Sequence, residues 1–264
     1  MATKLRLDAL LTERRLFESR SRAAAAVLAG EVTVGSAVAE KPGQLVASDV
    51  DVAVAPAPRF VSRGGIKLAN ALDASGVVVA DRLALDVGAS TGGFSDCLLQ
   101  AGARHVTALD VAYGELNWRL RGDPRVTVIE RTNARKLSPA MLPYPPELIV
   151  VDVSFISLRT VLPPVLACAA ARFDALALVK PQFEVGRGNV GKGGVVRDAE
   201  LRVRALVDVG AAALAAGAAV LAFFSSGLPG PKGNLETFVQ LAEPGRGGVG
   251  VSELERLAAE GDGG

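Results

Sequence analysis

The sequence predicts an α/β protein: a domain built on a mostly parallel sheet with helices on both faces, preceded by a small α+β unit. Three observations predict it. In the larger, C-terminal part, apolar runs of four to six residues alternate with segments of helical spacing, the pattern of strands buried on both faces. Before that part the order differs, with two helical patterns followed by short alternating segments. Between the two lies "APAPRFVSRGG", whose Pro56 and Pro58 mark a break.

In the small unit, "RLDALLTERRLF" sets Leu7, Leu10 and Leu11 at helical spacing among charges. "SRSRAAAAVLAG" predicts a second helix, capped by Ser19 or Ser21 and stopped at Gly30. "EVTVGSAV", with a turn near Gly35-Ser36, and "DVDVAVA" predict short strands. In the larger part "RLALDVGAS", "HVTALDVA", "VTVIER", "PELIVVDVSF", "ALALVKP" and "AVLAFFSS" read as strands. Helices are expected over "GGFSDCLLQAG", up to about Ala171, and from about Asp198 to Gly217. "NLETFVQLAEP" reads as an edge strand, and the glycine-rich stretch from Gly245 as loosely ordered with a short helix at "SELERLAA". The expected divisions are 1–58, a linker over 59–64, a second domain over 65–245 and a tail over 246–264.

Half of the 264 residues are hydrophobic but only 5% are aromatic, so the core must be built from Ala, Val and Leu. A net charge of +1 gives no global basic excess, and any nucleic-acid site must be local. Cys97 and Cys168 stand far apart, with a lone His105. That argues against a disulfide framework or a metal site and fits a reducing, cytoplasmic compartment. His105, just before an apolar run, reads as a surface loop residue. The N-terminus meets charges too early for a signal peptide. "VGAAALAAGAAVLAFFSS", from Val209, is mostly Ala and Gly and reads as a helix then a strand, not a membrane span.

"LDVGASTGGFSD" follows the first buried strand and opens a helix. Gly88, Gly92 and Gly93 let the backbone approach a ligand, and the helix start offers unpaired N–H groups. The spacing is neither a Walker loop nor a full G-x-G-x-x-G. The next strand ends at Asp110, where a carboxylate can accept both hydroxyls of a ribose. Together these fit an adenosine-bearing cofactor and leave NAD and S-adenosylmethionine both open.

Asp152 in "LIVVDVSFISL" and Lys180 in "LVKPQFE" lie, like Asp110, at carboxyl ends of strands, where ligands of open α/β sheets bind. Lys67 in "SRGGIKL" and Glu236 in "GPKGNLETF" are further candidates. Methyl transfer to a ribose hydroxyl needs alignment and a group to take a proton from a very weak acid. A lysine held by carboxylates beside a second lysine suits that task, although the same four residues could be two ordinary salt bridges on a rim.

At these positions the sequence resembles the TlyA (hemolysin A) family of ribosomal RNA ribose methyltransferases, related to FtsJ-type enzymes. The stretches "VSRGGIKL", "LDVGASTGGFSD", "ALDVAYGEL", "RTNAR", "VDVSFISL", "LVKPQFEVGRGNVGKGGVVRD" and "GPKGNLETF" occur in order, and the likeness runs to about Leu241. The resemblance implies a Rossmann-like methyltransferase domain. It also implies S-adenosylmethionine-dependent methylation of cytidine 2′-hydroxyls in small- or large-subunit ribosomal RNA. Lys67, Asp152, Lys180 and Glu236 would form the catalytic set, with Lys180 as base. Gly88, Ser90, Gly92, Gly93, Phe94, Asp110 and Asn133 would hold the cofactor. "RLDALLTERRLFESRSRAAAAVLAGEVTVG" is similar to the small RNA-binding domain first known from ribosomal protein S-four, with Arg6, Arg14, Arg15, Arg20 and Arg22 as phosphate contacts. Some family members carry tryptophan where Phe60 stands. Rival readings are a non-catalytic ribosome-binding factor and a membrane-active hemolysin. The resemblance implies ribosomal subunits as partners and leaves the oligomeric state open.

Overall fold

The computed structural model describes residues 3–56 and 58–262. Ala57 and the two outermost residues at each end of the chain, which the expected first division and tail include, lie outside it. The chain forms two compact units, one ending at Pro58 and the other starting at Arg59.

The small unit runs β1 (Lys4–Arg6), α1 (Leu7–Glu13), α2 (Arg20–Leu28), β2 (Val32–Val34), β3 (Ala37–Val38), β4 (Leu45–Ala47) and β5 (Val52–Val54). Ser19 caps α2 by accepting the Arg22 N–H, and the chain leaves the helix through Gly30 at φ 74°. Leu7, Leu10 and Leu11 of α1 meet Ala23, Ala26 and Val27 of α2 and Val32 in one apolar cluster. β2 pairs with β3 and β5, while β1 pairs antiparallel with β4. Strands of three residues leave almost no period to read, so the β1–β4 pair is invisible in the sequence.

The second unit contains α3 (Arg63–Ser75), β6 (Leu83–Val87), α4 (Gly93–Gln100), β7 (His105–Leu109), α5 (Trp118–Arg121), β8 (Val126–Ile129), β9 (Leu148–Val151), α6 (Leu158–Leu166), β10 (Asp174–Val179), α7 (Ala199–Ala215), β11 (Ala219–Ser225), β12 (Thr237–Ala242) and α8 (Leu254–Asp262). Its seven strands lie in the order β11-β12-β10-β9-β6-β7-β8. β8, β7, β6, β9 and β10 pair in parallel, whereas β12 is antiparallel to both β10 and β11. Alternate residues feed opposite faces: Ile149 and Val151 join the cluster under α6, α7 and α8, and Leu148 and Val150 join the one under α3 and α4.

Four expectations change. β12 is not an edge strand: all six of its residues are buried and β11 forms the edge. Its Thr237 and Gln240 make an interior strand look half-solvated. The stretch after Gly245 is anchored, because Leu254 and Ala258 of α8 are fully buried and Gly261 packs on Phe223. Residues 59–64 are built into the second unit. Phe60 is buried against Gly65, the Val61 N–H donates to Asp96 at 2.8 Å, and Arg63 already begins α3. His105 is the first residue of β7, its Nε2 2.9 Å from Thr127 Oγ1 and its ring edge-on to Tyr144, at the end of the strand away from Asp110. Cys97 and Cys168 are buried and unpaired.

The entry end of the sheet is closed by charge. Asp174, at the start of β10, lies between Arg82 (2.6 Å) and Arg246. Arg246 also grips Glu243 at 2.6 Å, and that guanidinium holds the Glu243 carboxyl down at about 2.

Candidate active site

The loop after β6 crosses the exit ends of the strands. The N–H groups of Gly88 and Ala89 both donate to the Leu109 carbonyl, tying the loop to β7. Asp110 fixes it further: Oδ2 accepts the Ser90 N–H at 2.7 Å and Oδ1 the Ala112 N–H at 2.8 Å. Gly93 opens α4 where a β-carbon would collide with Ser62 Oγ. Phe94 is buried, its ring 5.8 Å from Phe238. Gly92, at φ 97°, turns the loop against Leu116 and Leu120 and lines neither of the two clefts described next. Asn133 accepts the Arg135 N–H at 3.0 Å and starts a short 3-10 turn.

Two clefts meet at this loop. One, of about 510 Å³, is lined by Asp110, Ala112, Asn133 and Val153. The other, of about 490 Å³, is lined by Gly93, Phe94, Lys67, Lys180 and Glu236. Gly88, Ser90, Asp152 and Ser154 belong to both. This two-lobed trough, with a bare backbone between a carboxylate and a charged cluster, suits an elongated ligand carrying a ribose at one end. A third cavity of about 460 Å³, lined by Phe155, Phe183, Val190 and Lys232, shares Ser154, Lys180 and Glu236 with the second cleft.

The four candidates for chemistry come from four elements and converge. Lys67 lies in the second turn of α3, Asp152 just past β9, Lys180 just past β10 and Glu236 just before β12. Because β12 is antiparallel, its start stands beside the end of β10, with Val179 opposite Thr237. Lys67 Nζ donates to Glu236 Oε2, the two side chains being 9% and 1% exposed. Lys180 Nζ stands 2.5 Å from Asp152 Oδ1, an ion pair without hydrogen-bond alignment, and donates to Ser154 Oγ at 3.0 Å. Ser154 and Asp86 join the site without a role legible in the sequence. Asp86 lies wholly buried in β6, accepting from Ser95 Oγ at 2.7 Å, with its other oxygen unpartnered. Burial, reinforced by the charges of Asp152 and Asp110, pushes its carboxyl up to about 7. Neither residue carries a spacing signal, since a serine in a loop and an aspartate inside an apolar strand have many uses.

Phe155 follows Ser154 with φ 63° and is 91% exposed, its ring 5.2 Å from that of Phe183. A bulky residue held open to water in the left-handed region is uncommon and carries backbone strain.

In the small unit, the buried Asp8 holds Arg6 at 2.7 Å and Arg20 at 3.2 Å, and the Arg6 hydrogen bond keeps the Asp8 carboxyl below its usual range. Arg22 pairs with Glu18, and Arg14 donates to the Ser48 carbonyl. Arg15, at φ 60°, makes no ion pair among the described residues. No group of three or more His, Cys, Asp or Glu among the described residues is placed to hold a metal ion.

The FtsJ-like methyltransferase family model matches residues 60–243, and the S4 domain model matches residues 5–52. The chain is 48% identical to the 16S/23S rRNA (cytidine-2'-O)-methyltransferase TlyA of Mycobacterium tuberculosis, over 91% of each chain. It is 38% identical to Hemolysin A of Brachyspira hyodysenteriae, over 88% of this chain and 97% of that one. A solved structure from Streptococcus thermophilus that carries a hemolysin name superposes with a TM-score of 0.74 at 35% identity, covering 98% of this chain and 96% of the other.

Proposed function

This chain belongs to the TlyA family of ribosomal RNA methyltransferases, and on that premise we infer how its cleft methylates the 2′-oxygen of ribosomal cytidines. The observation that carries the reading is Lys180, held by Asp152 and Ser154 where the second cleft and the third cavity join.

S-adenosylmethionine, when bound, supplies a methyl group on a sulfonium sulfur. Asp110 and Asn133 line the lobe that would take its adenosine, and the bare backbone at Gly88 and Gly93 gives room for the rest. Asp152 and Ser154 aim the Lys180 nitrogen. Lys180, in its neutral form, would take the proton from the ribose 2′-hydroxyl that is to receive the methyl group. The Lys67–Glu236 pair adds a fixed dipole on the other wall of the cleft.

Recognition is divided. Arg6 and Arg20, oriented side by side by Asp8, and Arg15, without an ion pair among the described residues, are suited to phosphates. Phe155 offers an open ring face to a base splayed out of its helix. No described helix is long and apolar enough to cross a membrane. With ribosomal RNA as substrate, the enzyme works in the cytoplasm.

The test is transfer of labelled methyl from S-adenosylmethionine to ribosomal subunits from cells lacking the enzyme, with Lys180→Ala alongside. Label at alkali-resistant positions, lost in the variant while cofactor affinity is kept, is the expected result. Normal turnover by Lys180→Ala removes the lysine from its role. Cofactor binding without label on any subunit removes the acceptor assignment, and a chain that binds RNA but no cofactor is a ribosome-binding factor. Asp110→Ala should weaken cofactor binding instead.

A further inference from the structure

Asp86 is an unusual residue to find beneath a cofactor cleft. It sits two residues before Gly88, inside β6, with no exposure to water. Its Oδ2 is held by Ser95 Oγ in the first turn of α4, and its Oδ1 has no hydrogen-bond partner among the described residues. The charged groups that bear on it are Asp152 past β9, itself paired with the Lys180 ammonium, and Asp110 past β7, both carboxylates that line the clefts above, while α4 contributes Ser95 and the neutral thiol of Cys97. A third negative charge here is opposed by both neighbours and by burial, so the buried oxygen is best satisfied by a proton.

We propose that Asp86 is a proton-exchanging positioning residue for the cofactor. It holds a proton while the cleft is free, releases it to solvent when a sulfonium cation settles over the glycine loop, and regains one when only the neutral thioether product remains.

The proposal rests on the reading of the cleft as an S-adenosylmethionine site. The physical sequence is short. A cation above the loop offsets the field of Asp110 and Asp152 and makes the Asp86 carboxylate less costly. Transfer of the methyl group removes that charge from sulfur, and the acid takes up a proton again. Each cycle thus exchanges up to one proton with solvent, the fraction set by pH, at a residue that never touches the acceptor. Burial holds the carboxyl up at about 7, so the exchange is sought around neutral pH. By linkage, any gain in cofactor affinity from the carboxylate is absent at low pH and complete above the range in which Asp86 ionises. The preference for S-adenosylmethionine over S-adenosylhomocysteine should therefore grow as pH rises through neutrality, by about tenfold for each unit by which the cation lowers the acid.

The full-length chain tests this by titration calorimetry with S-adenosylmethionine at pH 6.5, in phosphate and in Tris, whose ionisation heats differ. The wild type should show a buffer-dependent heat corresponding to release of a fraction of a proton, and less with S-adenosylhomocysteine. Asp86→Asn, whose amide oxygen still accepts from Ser95, should bind with the same heat in both buffers and show a pH-independent ratio of the two affinities. Ser95→Ala removes a hydrogen bond that favours the carboxylate, so its release should move to higher pH. Equal heats in both buffers for the wild type, or undiminished release by Asp86→Asn, would overturn the proposal. If S-adenosylmethionine does not bind at all, the cofactor assignment fails instead.

Discussion

The carbonyl oxygen of Asp152 occupies the space that a β-carbon on Gly88 would need, so the glycine loop and the end of β9 meet backbone to backbone. Gly88 also stands at φ 87°, a conformation that other residues adopt only under strain. One missing methyl group therefore sets the position of the carboxylate that aims Lys180.

Gly88→Ala should displace Asp152 as well as the loop. Adding the collision to the backbone strain, a loss of more than about 2 kcal/mol is expected, with methyl transfer abolished. Urea denaturation and the labelled-methyl assay check both parts. A variant of ordinary stability would mean that the two segments separate easily.

Lys67 and Glu236 test whether the second ion pair matters more to the fold or to the reaction. Lys67→Met leaves the 1% exposed Glu236 carboxylate without its partner, which should cost about 3–5 kcal/mol. Lys67→Met/Glu236→Leu should recover most of that stability and remain inactive. Recovery of activity in the double variant would reduce the pair to packing.

Glu243 should govern part of the acid response. Arg246 lowers its carboxyl to about 2 in the folded chain, so its contribution is present above an ordinary carboxylate value of 4.5 and lost as pH falls through about 2. Glu243→Gln should be less stable than the wild type at pH 7, and its melting temperature should fall less between pH 4.5 and pH 2.5. Parallel melting curves for the two proteins would show that the pair contributes nothing to folding.

Phe155→Gly should separate function from stability at the cleft. Glycine relieves the left-handed backbone, and the exposed ring contributes no burial, so the melting temperature should hold or rise. The kcat/KM for ribosomal subunits should fall roughly tenfold or more, the range of a lost base–aromatic stack. Unchanged kcat/KM would assign the ring no role in binding the nucleotide.

Much of the second unit was legible before folding. Strands such as Leu148–Val151 and Asp174–Val179 are continuous apolar runs, because a parallel sheet covered on both faces needs no alternation. The loop from Gly88 to Gly93 shows itself because glycine is needed where backbone meets backbone. α3 and α8 were harder to read. The first begins with three residues, Arg63, Gly64 and Gly65, that give no helical signal, and the second follows a glycine-rich stretch whose docking depends on Phe223 and Gly210.

By itself the sequence determined the apolar runs of the second unit's parallel strands, the place of the glycine loop, and the residue types at the strand ends, since these depend on local spacing and local backbone freedom. Only the tertiary structure decided which charges meet. Lys67 and Glu236 are 169 residues apart, and they pair because β12 enters the sheet antiparallel beside β10. The order of strands in a sheet follows from packing both of its faces at once, and no single segment carries that information.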